Sequence, residues 1–303
     1  MAFTYLLNFL LFVGSAQSVP TTAAESIASD PTWGNTEGPA IDSKGTLYFC
    51  ARGAFKGIVS WTKKNGAKRY LPIDLNHGPG GLWIDAEDNI YATLVGDHQV
   101  VKISPQKKVT VLAKNFEAHP DSSKGPNDIV VATDKTVYFT VPNGFDGSAP
   151  PGSIYRIAPN GKISLFNNTM VGPNGITISR DGKTIYAAGN IAPTKAKIIK
   201  FPLNRDGTSG KPSDLIQLDN CVADGMDVDT SGSIWVTCYS FGTAYRVSPE
   251  GKIQETITTA QKALTNAFFG RGADHYNLYL TSSDMDRITG YIYRAKVSVP
   301  GFR

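Results

Sequence analysis

The sequence predicts an all-β fold, a six-bladed β-propeller with a divalent-metal site at one mouth of its central channel. Three observations lead there. A strand with a central aromatic recurs six times, apolar residues recur at two-residue spacing with few competing helical stretches, and one point of the repeat carries a polar residue in most copies. The aromatic falls at Tyr48, Tyr91, Tyr138, Tyr186, Trp235 and Tyr279, with gaps of 43, 47, 48, 49 and 44 residues. A period in the forties with three or four strands per unit is the signature of propeller blades.

Each unit reads the same way. A short apolar strand comes first: PAID, GLWID, DIVVA, GITIS, GMDVD and AFFG. A Gly- or Asp-containing turn leads into the aromatic strand. A third strand follows: GIVSW, QVVKI, SIYRI, KIIKF, TAYRV and YIYRA. Several of these run into a hairpin turn such as APNGK or SPEGK. The segment from Ala23 to Ile27 is expected to supply the outer strand of the last blade and close the ring.

Composition removes several function classes. With 41% hydrophobic residues over 303 positions the chain can bury a core, so disorder is excluded. Basic residues exceed acidic ones by 30 to 26, and no basic run is longer than two. That argues against a nucleic-acid or anionic-membrane footprint. The partner is then a small molecule, and the protein is expected to be a monomer.

Residues 6–13 read LLNFLLFV, followed by small residues at alternating positions. This fits a secretory signal over residues 1–18, cleaved after Ala16 or Ser18, although no Lys or Arg precedes the apolar run. The run is too short to span a bilayer, so residues 19–303 are expected to be a single secreted propeller domain without a membrane span. Of the cysteines Cys50, Cys221 and Cys238, one pair and one free thiol is the simplest arithmetic in an oxidising compartment. Cys221 and Cys238 flank the Asp224 segment and either pair there or remain free. One glycosylation sequon, Asn167-Asn168-Thr169, is compatible with that route.

Eleven residues before the aromatic stand Glu37, Asn127 and Asp224; Asn174 stands at twelve, where the turn has one extra residue. Blade two has Gly80 there, and blade six Thr265 and Asn266. These positions precede the inner strands, so they form a ring around the axis at one face. Two carboxylates and two amide carbonyls are hard oxygen donors, suited to calcium with its 6–8 flexible ligands. Mg2+, Mn2+ or Zn2+ are the other candidates, and the missing thiolate and imidazole argue against the last. Asn and Asp also cap turns in most β proteins, but four matches at one repeat position favour a metal.

The segments Thr36-Glu37-Gly38-Pro39, Gly125-Pro126-Asn127-Asp128, Gly172-Pro173-Asn174-Gly175 and Ala223-Asp224-Gly225-Met226-Asp227 stand in order at blade spacing. In them the chain resembles the SMP-30/gluconolactonase family, six-bladed propellers that include lactonases and the related diisopropyl-fluorophosphatases. The resemblance covers about residues 33–294. It implies that Glu37, Asn127, Asn174 and Asp224 bind a divalent ion, usually calcium. It also implies that Asp224 is the general base or the nucleophile. The chemistry expected for a lactone or ester is attack by an Asp224-activated water on a cation-polarised carbonyl. No GxSxG elbow supports a serine hydrolase.

Around this ring, Asp128 is expected to support the ligands. Asp227 either holds a second ion or hydrogen-bonds from behind. His77 and His119 precede inner strands on the same face and are candidates for proton transfer. The long 141–152 loop brings Asn143 and Phe145 to the pocket wall, and blade five brings Tyr239. Phe55 and Phe241 would make that wall more apolar. Sugar-lactone members often place Thr-Asp-Pro before this loop and an Arg near the blade-three Asn. This chain has Thr140-Val141-Pro142 and Lys124-Gly125-Pro126 instead, which points away from gluconolactone itself. The alternatives are hydrolysis at phosphorus, a non-catalytic calcium-binding propeller, and a metal-free propeller enzyme of the strictosidine-synthase-like group; the intact ring argues against the last.

Overall fold

The computed structural model describes residues 18–73, 78–114 and 125–302. The signal segment up to residue 17, and the candidates His77 and His119, lie outside them. Six sheets follow one another along the chain. Blade one is β3 (Thr36–Ile41), β4 (Leu47–Arg52), β5 (Lys56–Thr62) and β6 (Gly66–Pro72). Blade two is β7 (Pro79–Ile84), β8 (Ile90–Leu94), β9 (Gln99–Ile103) and β10 (Val109–Lys114). Blade three is β11 (Ile129–Val131), β12 (Val137–Val141), β13 (Ser153–Ile157) and β14 (Ile163–Asn167). Blade four is β15 (Pro173–Ile178), β16 (Thr184–Ala192), β17 (Lys195–Pro202) and β18 (Ser213–Asp219).

Blade five contains β19 (Val222–Val228), β20 (Ile234–Tyr239), β21 (Thr243–Val247) and β22 (Ile253–Thr258). Blade six contains β23 (Ala263–Phe269), β24 (Asn277–Ser283) and β25 (Gly290–Lys296). The N-terminal segment closes the ring, but over a wider span than the sequence suggested. β2 (Glu25–Asp30) pairs antiparallel with β25 as the outer strand of blade six. Just before it, β1 (Thr21–Ala23) pairs parallel with β22 as a fifth strand of blade five. One stretch of chain therefore ties two neighbouring blades together. All other strand pairs are antiparallel hairpin neighbours, as a meander requires.

The repeated aspartate after the first strand has a plain physical task. Asp42 Oδ1 accepts the amides of Lys44 and Thr46, at 3.0 and 2.8 Å. Asp85 Oδ1 accepts those of Glu87 and Asn89, at 3.1 and 2.9 Å. Asp229 Oδ1 accepts those of Ser231 and Ser233, at 2.8 and 3.0 Å. Each satisfies turn amides that the hairpin would leave unpaired. Tyr48 and Tyr91, the repeat aromatics, donate their hydroxyls to the second oxygen of Asp42 and Asp85. Between blades the faces are apolar and tightly packed; Phe49, Phe139, Phe201, Trp235 and Phe269 are almost fully buried.

Strand pairing ends at each blade's edge, so other bonds join the blades near the channel mouth. Thr93 Oγ1 in β8 donates to Asn127 O at 2.6 Å. Thr140 Oγ1 in β12 donates to Asn174 O at 2.7 Å. Asn190 in β16 exchanges two bonds with the main chain of Ala223. Thr237 Oγ1 in β20 donates to Thr265 O, and Thr265 Oγ1 to Thr36 O. Between blades one and two the donor is Arg52, whose Nε reaches Pro79 O at 2.7 Å. A side-chain-to-main-chain bond thus crosses every joint.

Thr140 also accepts the amide of Asp128, at 3.1 Å, and is fully buried. Thr140→Val keeps the shape and strands one buried acceptor and one buried donor. Each costs about 1–3 kcal/mol. Guanidinium unfolding should show a loss of at least that size; a loss under about 0.5 kcal/mol, the size of an ordinary surface change, would show that the joint bonds carry no stability.

Candidate functional site

A cavity of about 570 Å3 opens at the channel mouth. Glu37, Asn127, Asn174 and Asp224 all line it. The structure therefore brings together the four residues that the repeat position singled out. Three of them stand in inner strands and Asn127 just before one, and the neighbours of these strands force close packing. A Cβ on Gly225 would lie 1.8 Å from the Asn266 side chain, so the residue after Asp224 must be glycine. At blade two a Cβ on Gly80 would lie 2.4 Å from Asn127 O and 2.5 Å from Thr93 Oγ1. Glycine there leaves room for the bond between those two groups.

Each ring residue is held by its own surroundings. Asn127 has its main chain held on both sides: its amide donates to Thr140 O and its carbonyl accepts Gly81 N at 2.7 Å. Asn174 donates Nδ2 to Ala223 O at 3.1 Å, which sets the amide's orientation. Its Oδ1 is buried and has no hydrogen-bond partner among the described residues. Glu37 Oε2 accepts the amide of Gly38 at 2.9 Å. Cys221 and Cys238 are disulfide-bonded, with Cα atoms 4.7 Å apart, and so brace the chain on either side of Asp224. Cys50 is free and buried.

The carboxyls are held against their preference. Burial raises the proton affinity of Glu37 above the usual range, with Arg52's charge pulling it back. Burial, then the charges of Glu37 and Asp128, push Asp224 well above it. Asp128 is pushed up to about 8 by burial and by Glu37. Asp128 does not face the cavity. Its oxygens accept the amides of Ile129 and Ile176, at 2.9 and 3.2 Å, so it props blade three against blade four. Asp227 is fully buried and accepts Val228 N and Phe269 N, at 2.8 and 3.0 Å. These are hydrogen bonds made from behind the ring, one of the two roles open to it.

The walls come from the loops after the second strands. Asn143 and Phe145 line the cavity as expected, with Asn143 Nδ2 tied to Pro151 O at 2.7 Å. Tyr239 lines it too, and its hydroxyl accepts Arg287 Nε at 3.1 Å. Phe55 and Phe241 do not line it; Phe55 is buried under the Arg69 guanidinium instead. In their place stand two cations that the sequence reading missed, Arg52 and Arg287. Neither lies at a repeat position, which is why the periodicity was silent about them.

Among the described residues no three His, Cys, Asp or Glu side chains cluster as a ligand set. The ring's donors are half amide, so it does not depend on such a cluster. The donor set fits a hard divalent cation: two carboxylates, two amides, and an amide oxygen buried without a protein partner.

The sequence profile of the SMP-30/gluconolactonase/LRE-like region matches residues 36–284. A gluconolactonase of Zymomonas mobilis is 24% identical over 282 residues, 82% of this chain and 76% of that protein. A regucalcin of Gallus gallus is 30% identical over 141 residues, 45% of this chain and 46% of its own length. Among solved structures, a calcium-binding regucalcin from Agrobacterium tumefaciens superposes with a TM-score of 0.76 at 19% identity, over 94% of this chain and 98% of the other. A gluconolactonase from Xanthomonas campestris superposes with a TM-score of 0.71 at 20% identity, over 88% of each chain. At such identities these two superpositions show a shared fold.

The raised carboxyls set a pH signature. Between the unfolded value near pH 4 and the raised folded values, the folded metal-free chain holds more protons than the unfolded one. The contribution of these carboxyls to stability in EDTA is therefore full below about pH 4 and is lost as pH rises toward about 8. A bound cation displaces those protons, so its stabilisation grows over the same window. Calcium at about 100 times its Kd should add about 2.7 kcal/mol. The gain in Tm at one fixed calcium concentration should be larger at pH 8 than at pH 5; equal gains would remove the carboxylates from the binding site.

Proposed function

The chain belongs to the SMP-30/gluconolactonase/LRE-like family, and from that premise we propose that it is a calcium-dependent lactone hydrolase. The observation that carries this reading is the convergence of Glu37, Asn127, Asn174 and Asp224 on one cavity, with Asn174 Oδ1 buried and unpartnered. Glu37, Asn127, Asn174 and Asp224 would hold the ion. When bound, it supplies Lewis acidity toward a carbonyl oxygen.

The chain's own residues do the rest. Asp224 takes a proton from a water as that water's oxygen bonds to the lactone carbonyl carbon. The ring C–O bond then breaks, and the proton passes to the departing alkoxide oxygen. The products are the carboxyl and hydroxyl ends of one opened chain. Asn174 and the disulfide keep Asp224 in place. Asn143, Phe145 and Tyr239 form the wall against which the rest of the substrate lies. The 6–13 apolar run and the Cys221–Cys238 disulfide support secretion into an oxidising compartment.

The test is a panel of γ- and δ-lactones, aryl esters and organophosphates, assayed with calcium and with EDTA. Lactones should be opened and EDTA should abolish the activity. Glu37→Gln removes a ring charge, so it should weaken calcium and recover partly at high calcium. Asp224→Asn keeps an oxygen donor and loses the base, so saturating calcium should leave a loss of about 10²–10⁴-fold in kcat. A loss within about threefold, well short of that range, would reduce Asp224 to a ligand.

A further inference from the structure

Among the described residues the guanidinium of Arg52 has one hydrogen-bond partner, and a second of its nitrogens has none. Nε donates to Pro79 O at 2.7 Å, which fixes the plane of the group. Nη2 is buried and has no hydrogen-bond partner. Arg52 lines the same cavity as Glu37 and Asp224. Its charge also lowers the proton affinity of both carboxyls, which places it within electrostatic reach of them. Its Nη2 lies 3.2 Å from where a Cβ on Gly80 would stand. Gly80 is the blade-two ring position, so the guanidinium from blade one occupies the gap that blade two leaves.

A buried guanidinium N–H without an acceptor calls for one, because native structures pair nearly all such groups. No described carboxylate takes that N–H, neither Asp224 nor Glu37, although both line the cavity; Glu37 Oε2 takes the Gly38 amide and Asp128 takes two amides. The acceptor is therefore a ligand's. We propose that Arg52 is the site's oxyanion donor, its Nη2 hydrogen-bonding the lactone carbonyl oxygen as that oxygen gains charge and then the carboxylate of the hydroxy-acid product. This rests on the lactone-hydrolase reading above. A fixed donor aimed at developing charge is what accelerates acyl transfer. The pinned Nε means that the group does not have to reorganise as the charge appears. The preferred ligand is then an oxyanion on a short chain, set between Arg52 and the wall formed by Phe145 and Tyr239.

The experiment uses full-length, calcium-loaded protein and two probes. One is 4-hydroxybutyrate, the opened form of γ-butyrolactone; the other is calcium itself. Both are titrated by calorimetry into wild type, Arg52→Met and Arg52→Lys. Arg52→Met removes a positive charge beside the ring, so it should bind calcium more tightly than wild type. It should bind 4-hydroxybutyrate about 10–100-fold more weakly, the usual worth of a charged hydrogen bond. Its kcat on the best lactone at saturating calcium should fall by a similar factor. Damage to the fold would weaken both ligands together, which separates the two explanations. If Arg52→Met does not fold, Arg52→Lys decides: the charge stays, the fork is lost, and hydroxy-acid affinity should drop about tenfold.

An Arg52→Met protein that binds calcium and keeps 4-hydroxybutyrate affinity and kcat within about threefold, short of one charged hydrogen bond, overturns the proposal. So does a wild type that binds no 4-hydroxybutyrate. If wild type opens no lactone but holds the hydroxy acid through Arg52, the lactonase reading fails while the anion site stands.

Discussion

The channel mouth depends on the hydrogen bonds that cross the six joints between blades. Within a blade, strand pairing fixes every residue against its neighbour. Between blades no ladder runs, and the apolar faces alone would tolerate small slides. The joint bonds remove that freedom at the height where it matters. Two of them, from Thr93 and Thr140, end on the carbonyls of Asn127 and Asn174 themselves. A third ends on Ala223, beside Asp224. The main chain that carries each ring donor is thus bonded to the blade before it. Each such bond contributes only about 0.5–1.5 kcal/mol net. Their larger effect is geometric, since a site built on rigid strands holds its side chains closer to a working arrangement than one built on loops.

This rigidity is used to hold charge where it is unfavourable. Glu37, Asp128 and Asp224 form one electrostatic group: Glu37 raises the proton affinity of Asp128, and both raise that of Asp224. Arg52 offsets one of the three negative charges, which leaves a formal −2 at the mouth when all are ionised. Asn127 and Asn174 add oxygens without adding charge. Four carboxylates at the same points would make the metal-free state costlier still, because desolvation and like charge act in the same direction. Asp128 strengthens the field from below without occupying the cavity. The arrangement is expensive for an empty fold and well matched to a ligand carrying two positive charges.

Much of this was legible in the sequence, for a physical reason. Repetition makes each blade report on the others, so the turn aspartates, the aromatic strands and the ring position could be read by counting. Asp42, Asp85 and Asp229 recur because every hairpin leaves the same amides to satisfy. What could not be read lies off the repeat. Arg52 sits at the end of β4 and Arg287 in the β24–β25 loop, positions that five other blades fill with unrelated residues. The split of the N-terminal segment between β22 and β25 was hidden because edge pairing depends on three-dimensional neighbours. Phe55 and Phe241 look like pocket residues by position, yet apolar side chains at loop bases serve the packing between strands as readily as a cavity wall. Asp227 shows the same ambiguity in a charged residue: it stands in the same inner strand as the ring residue Asp224, and its oxygens take two main-chain amides.

The candidate site departs from its six-fold plan at two points. Blades one, three, four and five each present an oxygen donor. Blade six turns Asn266 inward, where its Oδ1 accepts the amide of Ala267 and its side chain packs on Gly225. Blade two presents no side chain at all. Six donors would wrap a cation and leave a substrate no approach, whereas a metal centre that does chemistry needs open positions. Removing the donor at Gly80 opens one side of the ring next to Glu37 and Asn127. The neighbouring blade then fills that opening with a guanidinium that already serves as a joint bond. One residue thereby closes a structural gap and sets a positive group beside the place where a reacting oxygen would come to lie. A fold made of near-identical blades exchanges one oxygen donor for a positive group at its ring.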